Sequence, residues 1–213
     1  MRFKRYPYFL RVVLLLALPI FLAFVQDPAT LDIDALRKLY AGPTVGWPQA
    51  TLDSGIVFRE LGVLPNAPIQ ARDPQYKAMI ELGKTLFFDP RLSASQQISC
   101  SSCHDPDMHW TDGRVRAIGH NHRIGMRNSP SISFAWASEK LFWDGRANSL
   151  EEQIKGSLTN KNEMNASLPE MRHTLLQIEA YRPLFQEAYA HTEPSVDQLV
   201  SAVVVFMRSI RSA

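Results

Sequence analysis

The two cysteines of the chain fall within one five-residue string, Cys100-Ser101-Ser102-Cys103-His104. Two thiols three positions apart, followed at once by an imidazole, are the arrangement a c-type haem uses. Each sulfur bonds a vinyl carbon and the histidine ligates the iron. A zinc site needs a further Cys/His pair at ligand spacing, and the sequence has none. A dithiol redox motif sits at a helix start beside a βαβ pattern, and it remains the competing reading of these two residues. An iron held by one imidazole leaves its sixth position open to decision. A second strong ligand makes an electron carrier, whereas a displaceable one admits peroxide or oxygen. His109, His120, His122, Met108, Met126 and Met164 are the candidates, and composition does not choose among them.

Helices must position this string. Leu31 to Tyr40 reads as a short amphipathic helix with Leu31, Ala35, Leu36 and Leu39 on one side. Asp73-Pro74 reads as an N-cap followed by Pro at the first helical position, leading into Tyr76 to Phe88. Ser149-x-x-Glu152 is a capping box opening Leu150 to Lys155, and Ser167-x-x-Glu170 opens a stretch through Ile178. Ala180 to Ala190 continues helical. Ser195-x-x-Gln198 caps a final segment with apolar Val196, Leu199, Val200, Val203, Val204, Phe206 and Met207. Between Cys100 and Trp143 the pattern is loop-like, punctuated by Pro106, Gly113, Gly119, Gly125 and Pro130. Sustained period-two alternation is absent. The expected fold is all-α, with long loops around the haem string.

The chain has 213 residues, 46% hydrophobic, with a formal net charge of +2. That suits one globular domain with an extension, and the near balance of charge leaves no basic stripe for nucleic acid. Arg2, Lys4, Arg5 and Arg11 lead into Val12 to Val25, fourteen residues without a charge. The run fits a secretory h-region better than a bilayer-spanning helix of about 20 residues. An uncleaved membrane anchor is the alternative, since Pro19 interrupts the run. Either way the remainder is expected outside the cytoplasm, in the periplasm. The organisation read from these signals is a leader or anchor over 1–26, an irregular Pro- and Gly-rich lead-in over 27–72, and a haem domain over 73–213. The strongly apolar last helix reads as continuing beyond Ala213.

Further strings occur in order around the haem motif. Leu82-Gly83-Lys84-x-Leu86-Phe87-Phe88-Asp89-Pro90-Arg91-Leu92-Ser93 precedes it. Ile118-Gly119-His120, Arg127-Asn128-x-Pro130-Ser131, Phe142-Trp143-Asp144-Gly145-Arg146, Glu152-Gln153 and Asn162-Glu163-Met164-Asn165 follow. Over about residues 75 to 210 they resemble the N-terminal haem domain of bacterial di-haem cytochrome c peroxidases. A relative that oxidises methylamine-utilisation proteins shares the framework.

The resemblance implies a cytochrome c-like fold and one covalent haem c on Cys100, Cys103 and the proximal ligand His104. His120 matches the histidine that ligates the same iron in the resting form and moves away on activation. Glu163 matches the distal acid and Gln153 the amide beside it. A carboxyl held there can shuttle the proton that peroxide must lose and regain. Trp143 matches the tryptophan between the two haems of the family. Asn128 matches a contributor to a calcium site, and Met164 reads as pocket lining. His109 and His122 have no family match and read as loop histidines.

Hydrogen peroxide is the implied substrate, with a donor cytochrome c or small copper protein as reductant, and homodimerisation is a further expectation. The family carries a second haem domain with its own Cys-x-x-Cys-His, which this sequence lacks. A fragment of a longer peroxidase, a mono-haem electron carrier and part of a maturation-type oxidase are the readings left open.

Overall fold

The computed structural model describes residues 32–58, 62–64, 66–191 and 193–211. The expected leader, 1–26, lies outside them. Among the described residues no helix is long and apolar enough to cross a membrane. The chain divides into two compact units, Met1–Gly62 and Val63–Ala213.

In the first unit, α1 (Ile33–Tyr40) is capped by Asp32, whose carboxylate accepts from the backbone N–H groups of Asp34 and Ala35 at 3.0 Å each. The expected amphipathic helix forms, but none of its residues is buried. Tyr40 meets Trp47 edge to face, and the Trp47 indole donates to the Gly42 carbonyl.

The second unit is helical, with no strand among its described residues, in agreement with the all-α expectation. Its helices are α2 (Lys77–Phe88), α3 (Leu150–Thr159), α4 (Leu168–Gln177), α5 (Tyr181–Tyr189) and α6 (Val196–Ser209). The core lies between α2 and α6. Leu82 and Leu86 of α2 and Leu199, Val200, Ala202 and Val203 of α6 are all but inaccessible. Gly83 makes this approach feasible: a β-carbon there would lie 2.0 Å from the Ala202 carbonyl oxygen.

Ser195 and Gln198 form the expected reciprocal capping box at the start of α6. Two expectations need correction. Asp73 does not cap α2: its carboxylate accepts from Gln75 N in a turn, and the helix begins later, behind Tyr76. At α3 Ser149 accepts from Glu152 N, but the Glu152 carboxylate takes Asn148 N rather than closing a box, and the helix runs on to Thr159.

At the end of α2, Asp89 is buried and takes Arg91 in a two-pronged ion pair and the Tyr181 hydroxyl at 2.5 Å. Burial alone raises a carboxylic acid, yet the Arg91 and Tyr181 hydrogen bonds outweigh it and hold Asp89 below its ordinary value.

Candidate active site

The loop region between α2 and α3 is built of 3₁₀ turns and three isolated bridges, Asp105 with Thr111, Ile118 with Ile124, and Leu141 with Ala147. The first turn carries the haem string. Cys103 N and His104 N both donate to the Cys100 carbonyl, at 3.2 and 3.0 Å, while Ser102 Oγ accepts from Ser99 N. The cysteines stay unbridged. Burial pushes the Cys100 thiol up to about 12, and burial raises Cys103 as well. A redox dithiol requires the opposite, an electropositive setting that lowers a thiol. Two half-buried thiols beside a largely apolar cleft suit covalent attachment.

His104 is held by a backbone group. Its Nδ1 donates to the Trp110 carbonyl at 3.0 Å, and because a carbonyl only accepts, the proton sits on Nδ1 and Nε2 keeps its lone pair. Burial favours the neutral ring, lowering its affinity for a second proton. This is the state a metal-ligating imidazole needs. Trp110 is itself fixed. It has a left-handed backbone (φ 62°), its N–H reaches the Asp105 carbonyl, and its indole packs edge-on against Phe87 of α2 and Phe206 of α6, with centroids at 5.9 and 6.0 Å.

Cys100, Cys103 and His104 line one cleft together with Gln153, Ser157 and Glu163. Apart from Ser99 the rest of the lining is apolar, including Phe87, Ile132, Leu158, Met164, Val203 and Met207. The residues present therefore fit a porphyrin carrying an iron. Glu163 reaches the cleft because the segment after α3 doubles back: Glu163 N and Asn165 N both donate to the Asn160 carbonyl at 2.9 Å. Asn160 Nδ2 donates to Glu163 Oε1 at 2.7 Å. Gln153 Nε2 donates to Ser157 Oγ at 3.0 Å. Burial raises Glu163, and the neighbouring Ser157 hydroxyl and Asn160 amide recover only part of the shift. A carboxyl lifted in this way is suited to exchanging protons.

His120 is buried but is not among the residues lining the cleft. Its backbone N–H donates to the Glu163 carbonyl at 2.6 Å, and its Nδ1 is buried without a hydrogen-bond partner. Gly119 permits that contact, for a β-carbon there would lie 2.1 Å from the Asn162 carbonyl oxygen. Trp143 lies apart at the surface, 59% exposed, with its indole N–H donating to the Asn128 carbonyl at 3.0 Å. Asn128 is exposed. Among the described residues no group of three or more His, Cys, Asp or Glu is placed to hold a metal ion. His109, His122, Met108 and Met126 are exposed, and Met164 is buried in the cleft lining.

Five of the expected site residues thus share one cleft. Ser157, Asn160 and Trp110 were not singled out from the sequence. The four-residue spacing from Gln153 to Ser157 on one helix was the available signal for the first. Trp110 acts through its backbone carbonyl, which no residue type announces.

A family model described as di-haem cytochrome c peroxidase matches residues 77–213. The chain is 36% identical over 164 residues to a cytochrome c551 peroxidase of Nitrosomonas europaea, covering 75% of this chain and 49% of that protein. It is 39% identical over 146 residues to the methylamine utilization protein MauG of Methylophilus methylotrophus, covering 68% and 43%. Among solved structures, a MauG-like protein associated with microbial copper homeostasis superposes with a TM-score of 0.62 at 27% identity, covering 76% of this chain and 47% of that one. The diheme peroxidase BthA of Burkholderia thailandensis gives a TM-score of 0.52 at 29% identity, covering 64% and 39%. The chain spans about half the length, or less, of these relatives.

Proposed function

This chain belongs to the di-haem cytochrome c peroxidase family, and from that premise we propose that it reduces hydrogen peroxide to water at one covalent haem c. The supporting observation is the single cleft that holds Cys100, Cys103 and His104 together with Gln153 and Glu163. Haem c bound there supplies the iron at which peroxide is reduced. Cys100 and Cys103 attach it, and His104 presents Nε2 to it.

The chain's own residues move protons. A Glu163 carboxyl oxygen takes the proton from one peroxide oxygen and returns it to the departing one, so that the leaving group departs as water. Gln153 orients the peroxide by its amide. His120, whose backbone N–H donates to the Glu163 carbonyl, would be the residue that holds the iron in the resting form and gives way on activation. Electrons from a donor cytochrome c or small copper protein enter past Trp143. Asn128 contributes to a calcium site, and the protein works in the periplasm after export.

Glu163→Gln in the haem-loaded protein is expected to keep peroxide binding and lose about 10²–10⁴-fold in turnover, as removal of a positioned acid–base group does. Turnover at the parent rate removes Glu163 from the reaction. Mass spectrometry after expression with cytochrome maturation machinery should show one haem per 213-residue chain. Cys100→Ala should carry less covalent haem.

The MauG relatives and the exposed Trp143 indole favour a second reading, in which a protein substrate is oxidised by long-range electron transfer. Trp143→Phe tests the protein-oxidising route: peroxide-driven oxidation of side chains in a protein substrate, read by mass spectrometry, should be lost, while peroxide consumption with a small-molecule reductant survives.

A further inference from the structure

We infer that Ser157 and Asn160 are positioning residues, Asn160 for the Glu163 carboxyl and Ser157 for the Gln153 amide. The inference rests on the peroxidase reading and deepens its account of the proton-moving group.

Glu163 follows the end of α3 in a turn, and a glutamate has three side-chain torsions, so its position must be imposed from outside. Asn160 imposes it. It closes α3 and uses both ends of its amide: Oδ1 accepts from Asn162 N at 3.0 Å, which shapes the turn, while Nδ2 donates to Glu163 Oε1 at 2.7 Å. The first bond orients the amide so that the second is made by its donor end. Ser157, near the end of α3, holds the neighbouring amide: its hydroxyl oxygen accepts from Gln153 Nε2 at 3.0 Å. The backbone supports the same placement, since Met164 N donates to the Ser157 carbonyl and Ala166 N to that of Leu158. Set within a lining of Ile154, Leu158 and Met164, the group has little water to replace a lost partner.

The structure thus separates two jobs. Glu163 exchanges the proton, while Asn160 keeps its oxygen, and Ser157 the Gln153 amide, where they are needed. Positioning of this kind affects rate steeply, because a displacement of about 1 Å can cost 10²-fold.

The test is made on the ferric, haem-loaded full chain, with cyanide as probe beside peroxide. Hydrogen cyanide arrives protonated and binds as the anion, so its association rate, followed by visible absorbance, reports whether a base stands ready. Ser157→Ala sits inside a helix and exchanges a middling helix former for the best one, so folding is kept. It should slow both cyanide association and peroxide turnover about tenfold, with KM for peroxide little changed. Asn160→Ala should act in the same direction, and Ser157→Thr, which keeps the hydroxyl, should restore the rates. In a Glu163→Gln background Asn160→Ala should not slow the protein further, because it acts through that carboxyl. Parent-like rates in Ser157→Ala and Asn160→Ala, with Glu163→Gln slow, overturn the positioning role and leave the peroxidase reading standing. Parent-like rates in Glu163→Gln overturn both.

Discussion

A β-carbon at Gly119 would overlap the Asn162 carbonyl oxygen at 2.1 Å and press on that of Glu163 at 2.8 Å. Both obstacles are backbone, so nothing nearby can turn aside. Gly119→Ala should therefore push the loop away from the turn that carries Glu163. The His120 N–H would lose its carbonyl partner as the loop moved. We expect a stability loss of about 1–3 kcal/mol by urea unfolding, the usual cost of overpacking, together with slower cyanide association in the haem-loaded protein. At this scale the sequence announced whatever depends on a side chain's own chemistry. Cys100, Cys103 and His104 declare themselves by spacing, and Glu163 and Gln153 by their place in a recognisable string. Ser157 is hidden because a serine within a helix looks the same whether or not its hydroxyl is employed. Trp110 is hidden more deeply, since the atom that matters is one every residue possesses.

Between elements, the close approach of α2 and α6 depends on Gly83. An added methyl there meets the Ala202 carbonyl and the Phe206 β-carbon, at 2.0 and 2.9 Å, so the helices must separate. Gly83→Ala should cost at least about 1–3 kcal/mol despite alanine's better helix propensity, seen as a lower urea midpoint. The Asp89 network joins the end of α2 to α5 and makes the fold sensitive to acid. Its folded-state value lies below the ordinary 3.8, so its contribution is complete at neutral pH and is lost as pH falls below about 4 and through the folded value. Asp89→Asn should therefore be less stable than the parent at pH 7. The gap should close toward pH 2 in thermal denaturation followed by circular dichroism. Helix starts were legible where side chain and backbone cooperate reciprocally, as Ser195 and Gln198 do. Asp73 misled because an aspartate bonding the N–H two residues on does so equally in a turn and at a helix start.

Over the whole molecule, every residue assigned to the cleft lies in the unit from Val63 to Ala213. The helical class and the haem string were readable in advance because amphipathic periodicity and motif spacing are local properties. The aromatic cluster was not, because Phe87, Trp110 and Phe206 are far apart in sequence and meet only once the helices pack. Phe206→Ala should cost about 3–5 kcal/mol, the usual range for a buried aromatic, and should loosen Trp110 as well. On the proposed reading His104 is the iron's imidazole, and its Nδ1 donates to the carbonyl of that same tryptophan, so a disturbance of the interior would change how firmly the metal is gripped. The pigment thus doubles as a strain gauge: its colour in the visible should register a flaw in the oily centre before the chain comes apart.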